Sequence, residues 1–344
     1  MEEIYRLQML SPLHLGERGT GMEGSGETIP SDTLFSALCW ALREVEGDGW
    51  LQEWLGAFQH GPAPLLLTSA FPWVGDVRFY PRPMLRLPET LTSIPWGDPS
   101  LSAGKRLKKI AYVSEVLFRQ WMAGSKSGDA ATGARLLPGG LWVSDVEMGA
   151  TRIAPEDRWA ELVQLPRVAL DRATSTSSLY QVGEVRFREG CGLWFAVRWR
   201  EEGWREPLEA ALSCLGEAGI GGERSSGRGQ FKWKRMPATG LEPPEPTAGR
   251  AVTLSLYHPT RQEVAAGLLD EAAYQLRLRR GWVVSSAGQG RRSRSVRMLA
   301  EGSAIGVSLE AGDLVDVTPD GFTAHPVYRY GLAFPVAVEV RSDG

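Results

Sequence analysis

Gly219-Ile220-Gly221-Gly222-Glu223-Arg224-Ser225-Ser226-Gly227-Arg228-Gly229 joins a helical pattern over residues 206–217 to a strand pattern over residues 230–234. Five glycines, two serines and two arginines share the connection. Glycine lets successive backbone N–H groups turn toward one side without a Cβ clash, and such groups form an anion-binding nest. Arginine adds a planar cation suited to phosphate and to stacking. A glycine C-cap explains Gly219 alone and leaves Arg224 and Arg228 without a reason. A nucleotide-kinase loop is excluded, because the Gly-Lys-Ser/Thr ending is missing and a strand follows instead of a helix.

Upstream, residues 3–15 read as a strand entering a turn at Gly16, and residues 16–26 as a glycine-rich polar loop. Ser31 or Asp32 is placed to cap a helix whose apolar stripe is Leu34, Phe35, Leu38, Ala41, Leu42 and Val45. The pattern predicts a second helix over residues 50–58, strands over 65–71 and 78–87, one helix over 105–122, and a strand over 141–146. Residues 163–199 alternate as strands around a polar tip, which predicts a long hairpin projecting from the body. Leu241-Glu242-Pro243-Pro244-Glu245-Pro246 is a proline-rich break and marks a domain boundary. Beyond it come a strand over 252–257, a short helix over 261–269, and strands over 274–278, 314–318 and 334–340.

The predicted fold class is therefore α+β. Each half runs strand, helix, strands, helix, strand, the second half abbreviated, which is the order of a ferredoxin-like or RNA-recognition-motif-like domain. The expected domains are residues 1–240, with the hairpin at about 163–190 and the glycine-rich loop at 219–229, and residues 250–344.

The densest positive charge lies in the second half, where Arg277, Arg279, Arg280, Arg291, Arg292, Arg294 and Arg297 bracket a Ser/Gly loop at residues 285–290. A charge run is commonly a solvated face. Interleaved with glycine and serine in a chain of net charge -3, this one points to RNA contact. The negative total argues against indiscriminate coating of nucleic acid and leaves room for a local basic groove. Cys39, Cys191 and Cys214 are few and widely spaced, and His14, His60, His258 and His325 are scattered, so neither a metal nor another cofactor is expected. No apolar run approaches the length of a membrane span and the first residues lack a signal-peptide pattern, which predicts a cytoplasmic protein.

The glycine-rich stretch, continued into Gln230 and Phe231, resembles the glycine-rich loop of the RAMP superfamily of CRISPR proteins. Pro12-Leu13-His14-Leu15-Gly16 followed by Ile29-Pro30-Ser31-Asp32-Thr33-Leu34-Phe35-Ser36-Ala37-Leu38 is similar to one branch, the fourth subunits of type III-A Csm effector complexes. Ala169-Leu170-Asp171-Arg172-Ala173-Thr174 resembles the thumb hairpin of that branch. Gly281-Trp282-Val283, Glu301-Gly302-Ser303 and Tyr330-Gly331 follow in the same order.

The resemblance implies a non-catalytic subunit that caps one end of an antiviral complex and holds the 5′ tag of the CRISPR RNA. It implies docking to the large signature subunit and to the first backbone ribonuclease subunit, and an indirect approach to target RNA near the thumb. Carried over by position, Gly221, Gly222, Arg224, Ser225, Ser226, Gly227 and Arg228 lie on the tag phosphates, with His14 nearby. Ser31 and Thr33 open a helix whose free N–H groups can accept phosphate, with ordinary capping as the alternative. Arg167, Arg172, Thr174, Ser175, Thr176 and Ser177 belong to the thumb, and Arg280, Arg291, Arg292 and Arg294 to the second basic surface.

Two alternatives stand beside this reading. A metal-independent endoribonuclease of the same superfamily would need an acid and a base near the loop, and His14 is the candidate. The family's target-cutting subunit uses an aspartate before its first helix, where residues 16–26 here offer only Glu17 and Glu23. A protein-only scaffold is allowed by thirteen tryptophans, since aromatics are frequent at interface cores.

Overall fold

A computed structural model describes residues 1–16, 24–93, 102–124, 131–170, 177–237, 241, 249–283, 290–306 and 311–338. Strands β1 (Glu2–Met9), β2 (Leu65–Leu67), β3 (Phe71–Val74), β4 (Val77–Pro81), β5 (Tyr112–Ser114), β6 (Ala134–Leu137) and β7 (Leu141–Ser144) are followed by the hairpin β8 (Ala160–Leu170) and β9 (Ser177–Phe187). Then come β10 (Cys191–Trp199), β11 (Phe231–Pro237), β12 (Arg250–Thr253), β13 (Leu276–Arg279), β14 (Val296–Leu299), β15 (Ala304–Gly306), β16 (Leu314–Asp316), β17 (Tyr328–Tyr330) and β18 (Pro335–Ala337). The helices are α1 (Ser31–Glu46), α2 (Asp48–Gln59), α3 (Glu89–Thr92), α4 (Ala103–Lys109), α5 (Glu115–Met122), α6 (Asp145–Thr151), α7 (Arg205–Ala218) and α8 (Arg261–Ala265).

The architecture is α+β around a nine-stranded sheet of order β11-β1-β10-β3-β4-β5-β7-β6, with β2 also paired to β10. All neighbours are antiparallel except β5 and β7. Helices α1 and α7 pack together through the apolar stripes Leu34-Phe35-Leu38-Ala41-Leu42 and Leu208-Ala211-Leu212-Leu215. Val45 ends the first stripe exposed. In the second half β12 lies between β15 and β18, and β13–β14 and β16–β17 are separate hairpins.

Three expectations over residues 65–122 are corrected. The helix predicted over residues 105–122 breaks into α4, β5 and α5. Tyr112 and Val113 instead pair with Pro81 and Tyr80 on one side and with Leu141 and Trp142 on the other, where aromatic and β-branched residues suit a pleated surface. Glu115 then ties α5 to β4 through Arg78 at 2.7 and 2.9 Å, and the Tyr80 and Phe118 rings stack at 4.4 Å. The strand predicted over 65–71 splits into β2 and β3, because the Thr68 hydroxyl accepts the Ala196 N–H and the Ser69 N–H turns to Leu254. The strand predicted over 78–87 ends at Pro81.

One buried cluster spans both halves. It runs from Ile4 and Tyr5 through Phe35, Trp54 and Trp194 to Val252, Leu254, Tyr330 and Phe334. Polar bonds cross the same junction: the Ser31 N–H donates to Ser69 Oγ at 2.8 Å, Ser69 donates to Glu301 at 2.6 Å, and the Leu67 N–H donates to the Tyr330 hydroxyl at 2.8 Å. Leu241 is buried and its carbonyl accepts from Arg198, while residues 242–246 of the expected break lie outside the described residues. Among the described residues no helix is long and apolar enough to cross a membrane.

Candidate nucleic-acid interface

The glycine-rich loop is an ordered turn docked on the segment after β1. The N–H groups of Ile220, Gly222 and Gly229 donate to Gly229, His14 and Pro12, and those of Ser226 and Gly227 close a short turn at residues 224–226. Gly219 and Gly229 have φ of +86° and +76°, and a Cβ at either would meet a carbonyl oxygen at 2.1 or 2.0 Å. Their glycine identity is thus set by backbone crossing backbone. The expected nest is only partly formed, because most of the loop's N–H groups point inward. Among the described residues, no acceptor is bonded to the N–H groups of Glu223, Arg224 and Ser225 at the loop's front.

The loop forms one wall of a cleft of about 1540 Å³. Gly221, Gly222 and Arg224 face it from one side. Thr33, Ser36, Trp40 and Arg43 line it from α1, and Arg277, Arg280 and Trp282 from β13 and the residues after it. The structure therefore brings five of the expected site residues, Gly221, Gly222, Arg224, Thr33 and Arg280, to one cleft. Ser225, Ser226 and Gly227 lie exposed beside it.

Other expected contacts are spoken for. Ser31 is fully buried and its hydroxyl accepts the Leu256 N–H at 3.0 Å, so it neither caps α1 nor reaches solvent. The N-cap is Pro30, without a side-chain cap bond. Asp32 also fails to cap: it is buried and receives Arg279 at 2.8 and 2.9 Å together with Arg329. Burial alone would raise the Asp32 pKa, but the two guanidinium charges and their hydrogen bonds outweigh it and hold the carboxyl at about 2. Two arginines of the cleft lining thus share one buried carboxylate.

Arg228 is turned away from the loop front, 2.8 Å from Glu184 on β9, whose carboxylate is 2% exposed and also holds Arg186. His14 is 7% exposed and its Nδ1 lies 2.6 Å from the Gly183 carbonyl, which it meets as an N–H donor. Leu13 and Val185 exchange backbone bonds at 2.9 and 2.7 Å. The loop, the 11–14 segment and the base of the β8–β9 hairpin are thereby one connected unit.

Arg167 is half-buried on β8 opposite Tyr180, and Ser177 is exposed at the start of β9. Arg172, Thr174, Ser175 and Thr176 lie outside the described residues, as do Glu17, Glu23 and the 284–289 loop. Arg291, Arg292 and Arg294 are exposed but outside the cleft lining. Arg291 donates to the Gly321 carbonyl at 3.1 Å, Arg294 binds Asp316 at 3.1 and 3.3 Å, and Arg292 sits 4.8 Å over the Trp282 ring.

Sequence reasoning missed the aromatic partners. The Arg224 guanidinium lies 4.3 Å over the Trp40 ring, and Trp282 is 53% exposed. Trp40 is half-buried, packing against the core while it also lines the cleft. Its position relative to Thr33, Ser36 and Ala37 carried the signal, because those residues form a helical face opposite the buried stripe.

Comparison with known proteins identifies the family and the fold. The RAMP superfamily profile matches residues 6–232, and the CRISPR Csm4 C-terminal domain profile matches residues 247–338. The chain is 30% identical over 332 residues to the CRISPR system Cms protein Csm4 of Thermococcus onnurineus (strain NA1), covering 92% of this chain and 94% of that protein. It is 29% identical over 330 residues to the Mycobacterium tuberculosis (strain CDC 1551 / Oshkosh) protein of the same name, covering 94% of each. The fold is shared with a chain of the Csm3–Csm4 subcomplex of a type III-A CRISPR-Cas interference complex, at TM-score 0.67 and 16% identity over 98% of this chain and 99% of that one. A chain of a Csm1–Csm4 cassette in complex with cA4 superposes at TM-score 0.56 and 23% identity, covering 99% of both. The chain belongs to the Csm4 family of the RAMP superfamily.

Proposed function

We propose that this chain is the cap subunit of a type III-A CRISPR effector complex, holding the 5′ tag of the CRISPR RNA in the cleft without cutting it. The observation that carries this is the cleft itself. Arg224 and Arg280 line it together with Trp40 and Trp282, while Arg43 and Arg277 there are paired with Asp48 and Glu301, so one groove offers cations for phosphates and aromatic faces for bases.

The sheet order supports two ferredoxin-like halves. Strands β11-β1-β10-β2 with α1 and α7 give the 4-1-3-2 arrangement, and β4 to β9 form an insertion. Strands β18-β12-β15 repeat the 4-1-3 part, with the Ala273–Ala304 bridge in place of the remaining strand. The β8–β9 hairpin, 11 residues per strand, fits a thumb leaning on the RNA where guide meets target. A Csm1-type large subunit and a Csm3-type backbone subunit are the protein partners this reading assigns, since relatives of this fold occur in Csm1–Csm4 and Csm3–Csm4 assemblies.

The endoribonuclease alternative is disfavoured by His14, whose ring packs under Gly222 and is engaged by Gly183. The test is RNA binding by the chain, alone and with the large subunit, comparing a guide carrying its 5′ tag with one carrying a scrambled tag, plus a cleavage lane with divalent metal. Tag-dependent binding without cleavage is expected. Cleavage that disappears in His14→Ala, or no RNA binding in either setting, would overturn the proposal.

A further inference from the structure

The β8–β9 hairpin forms a two-stranded sheet of its own. Among the described residues, no hydrogen bond or ion pair joins residues 163–170 or 177–182 to the body. From Glu184 to Ser177 the hairpin runs about 23 Å at the usual strand rise. A lone two-stranded ribbon has little stability of its own, so the direction of this one is set at its root.

The root is tied to the glycine-rich loop in two ways. One is indirect: the Gly222 N–H donates to the His14 carbonyl, His14 Nδ1 meets the Gly183 carbonyl at 2.6 Å, and Leu13 bridges Val185. The other is direct. Arg228 lies 2.8 Å from one carboxylate oxygen of Glu184, and Arg186 binds the other oxygen at 2.8 and 3.0 Å. The loop thus has a front, where Gly221, Gly222 and Arg224 line the cleft, and a back, where Arg228 holds the hairpin.

Stability alone does not account for a carboxylate at this position. Glu184 is 2% exposed, and its strand neighbours Val182 and Val185 are buried apolar residues. Taking ions out of water is costly, and an apolar side chain of similar volume commonly holds such a place at no loss of stability. What the ion pair adds is direction, because a short charge-assisted hydrogen bond weakens steeply when it is bent. A swing of about 15° at the root would carry the tip about 6 Å, close to two nucleotide steps of about 3.4 Å. We propose that Glu184 is a positioning residue: through Arg228 it sets the hairpin's angle to the glycine-rich loop and so fixes which guide nucleotide the hairpin meets, counted from the tag. The inference rests on the RNA reading of the cleft and of the hairpin.

The test maps where the hairpin touches the guide. A photoreactive p-benzoylphenylalanine takes the place of Leu179, which is 68% exposed toward the hairpin tip. The full chain, assembled with the large subunit and a tagged guide RNA, is irradiated, and the crosslinked nucleotides are read by primer extension. Glu184→Leu and Arg228→Ala break the link to the loop. Arg186→Ala removes a bond to the same carboxylate made within β9 and controls for hairpin stability. Thermal melts confirm that each variant is folded. Wild type and Arg186→Ala should mark one short stretch of guide. Glu184→Leu and Arg228→Ala should spread the marks over a stretch about three times as long, with guide affinity within about 2-fold of wild type. Marks as sharp in Glu184→Leu and Arg228→Ala as in wild type would overturn this inference, and so would equal spreading in Arg186→Ala. Normal guide binding with no crosslink in wild type would overturn it together with the hairpin's contact with RNA, leaving the cleft reading standing. No RNA binding by wild type would overturn the cleft reading and this inference alike.

Discussion

Asp32 on α1 and Arg279 on β13, 247 residues apart, meet in a two-pronged ion pair with N···O distances of 2.8 and 2.9 Å. The Thr33 hydroxyl accepts from the same guanidinium at 3.0 Å, and Arg329 approaches the carboxylate from β17. The pair joins the two halves at the cleft floor, so the cleft's width depends on it. Asp32→Asn leaves two largely buried guanidinium groups facing a neutral amide. The expected cost is about 3–5 kcal/mol of stability, with a looser cleft and weaker RNA binding. Urea unfolding read by tryptophan fluorescence measures the first effect.

The same carboxylate sets a pH dependence. Its pKa falls from 3.8 in the unfolded chain to about 2 in the fold, so the unfolded state binds the proton more readily. The contribution is therefore complete above about pH 4 and is lost as pH falls through the folded pKa. Linkage puts it at about 2–3 kcal/mol. Unfolding free energies at pH 5 and pH 2.5 should differ less in Asp32→Asn than in wild type, and equal differences would remove Asp32 as the cause.

Arg228 sits in the glycine-rich loop yet serves the hairpin base through Glu184. Arg228→Ala is expected to lower stability by about 1–2 kcal/mol, with Arg186 retaining part of the pairing, and to leave the salt slope of RNA binding unchanged. A reduced slope in a titration from low to high salt would return Arg228 to the phosphate contacts.

Arg224→Ala should behave in the opposite way, lowering the log–log salt slope by about 0.7 with little change in melting temperature. Trp40→Ala should cost about 1–3 kcal/mol of RNA affinity through lost stacking. Because the Arg224 cation lies 4.3 Å over the Trp40 ring, the double variant should lose less than the sum of the two. Full additivity would mean that the two residues act independently.

The loop's glycines should divide by their surroundings. At Gly227 (φ +71°) a Cβ would enter open space, so Gly227→Ala carries only left-handed strain of about 1–2 kcal/mol. At Gly229 (φ +76°) the Cβ would lie 2.0 Å from the Ile220 oxygen, so Gly229→Ala must also displace the loop. Thermal melts should rank Gly229→Ala clearly below Gly227→Ala, with RNA affinity following the same order.

The apolar stripe of α1, the two strands of the hairpin and the helix–loop–strand unit around Gly219 to Gly229 were legible from sequence, because each is a local pattern of side-chain period and turn chemistry. Where a pattern was ambiguous, sheet pairing settled it. Ile110, Val113, Val116 and Leu117 fit a helical stripe, yet Tyr112 and Val113 are strand residues because β4 and β7 lie on either side to receive them. That pairing joins segments about thirty residues apart and leaves no trace in local periodicity.

By itself, the sequence determined the first helix, the hairpin, the glycine-rich connection and the family, all of which are written in contiguous stretches of chain. Only the tertiary structure decided which cations are available. Arg279, Arg228 and Arg224 look alike in sequence. Folding places the first against Asp32, the second against Glu184 and the third over Trp40 at the cleft wall. An arginine's role depends on which opposite charge or aromatic face lies within a few ångströms, and that neighbour is supplied by a distant part of the chain.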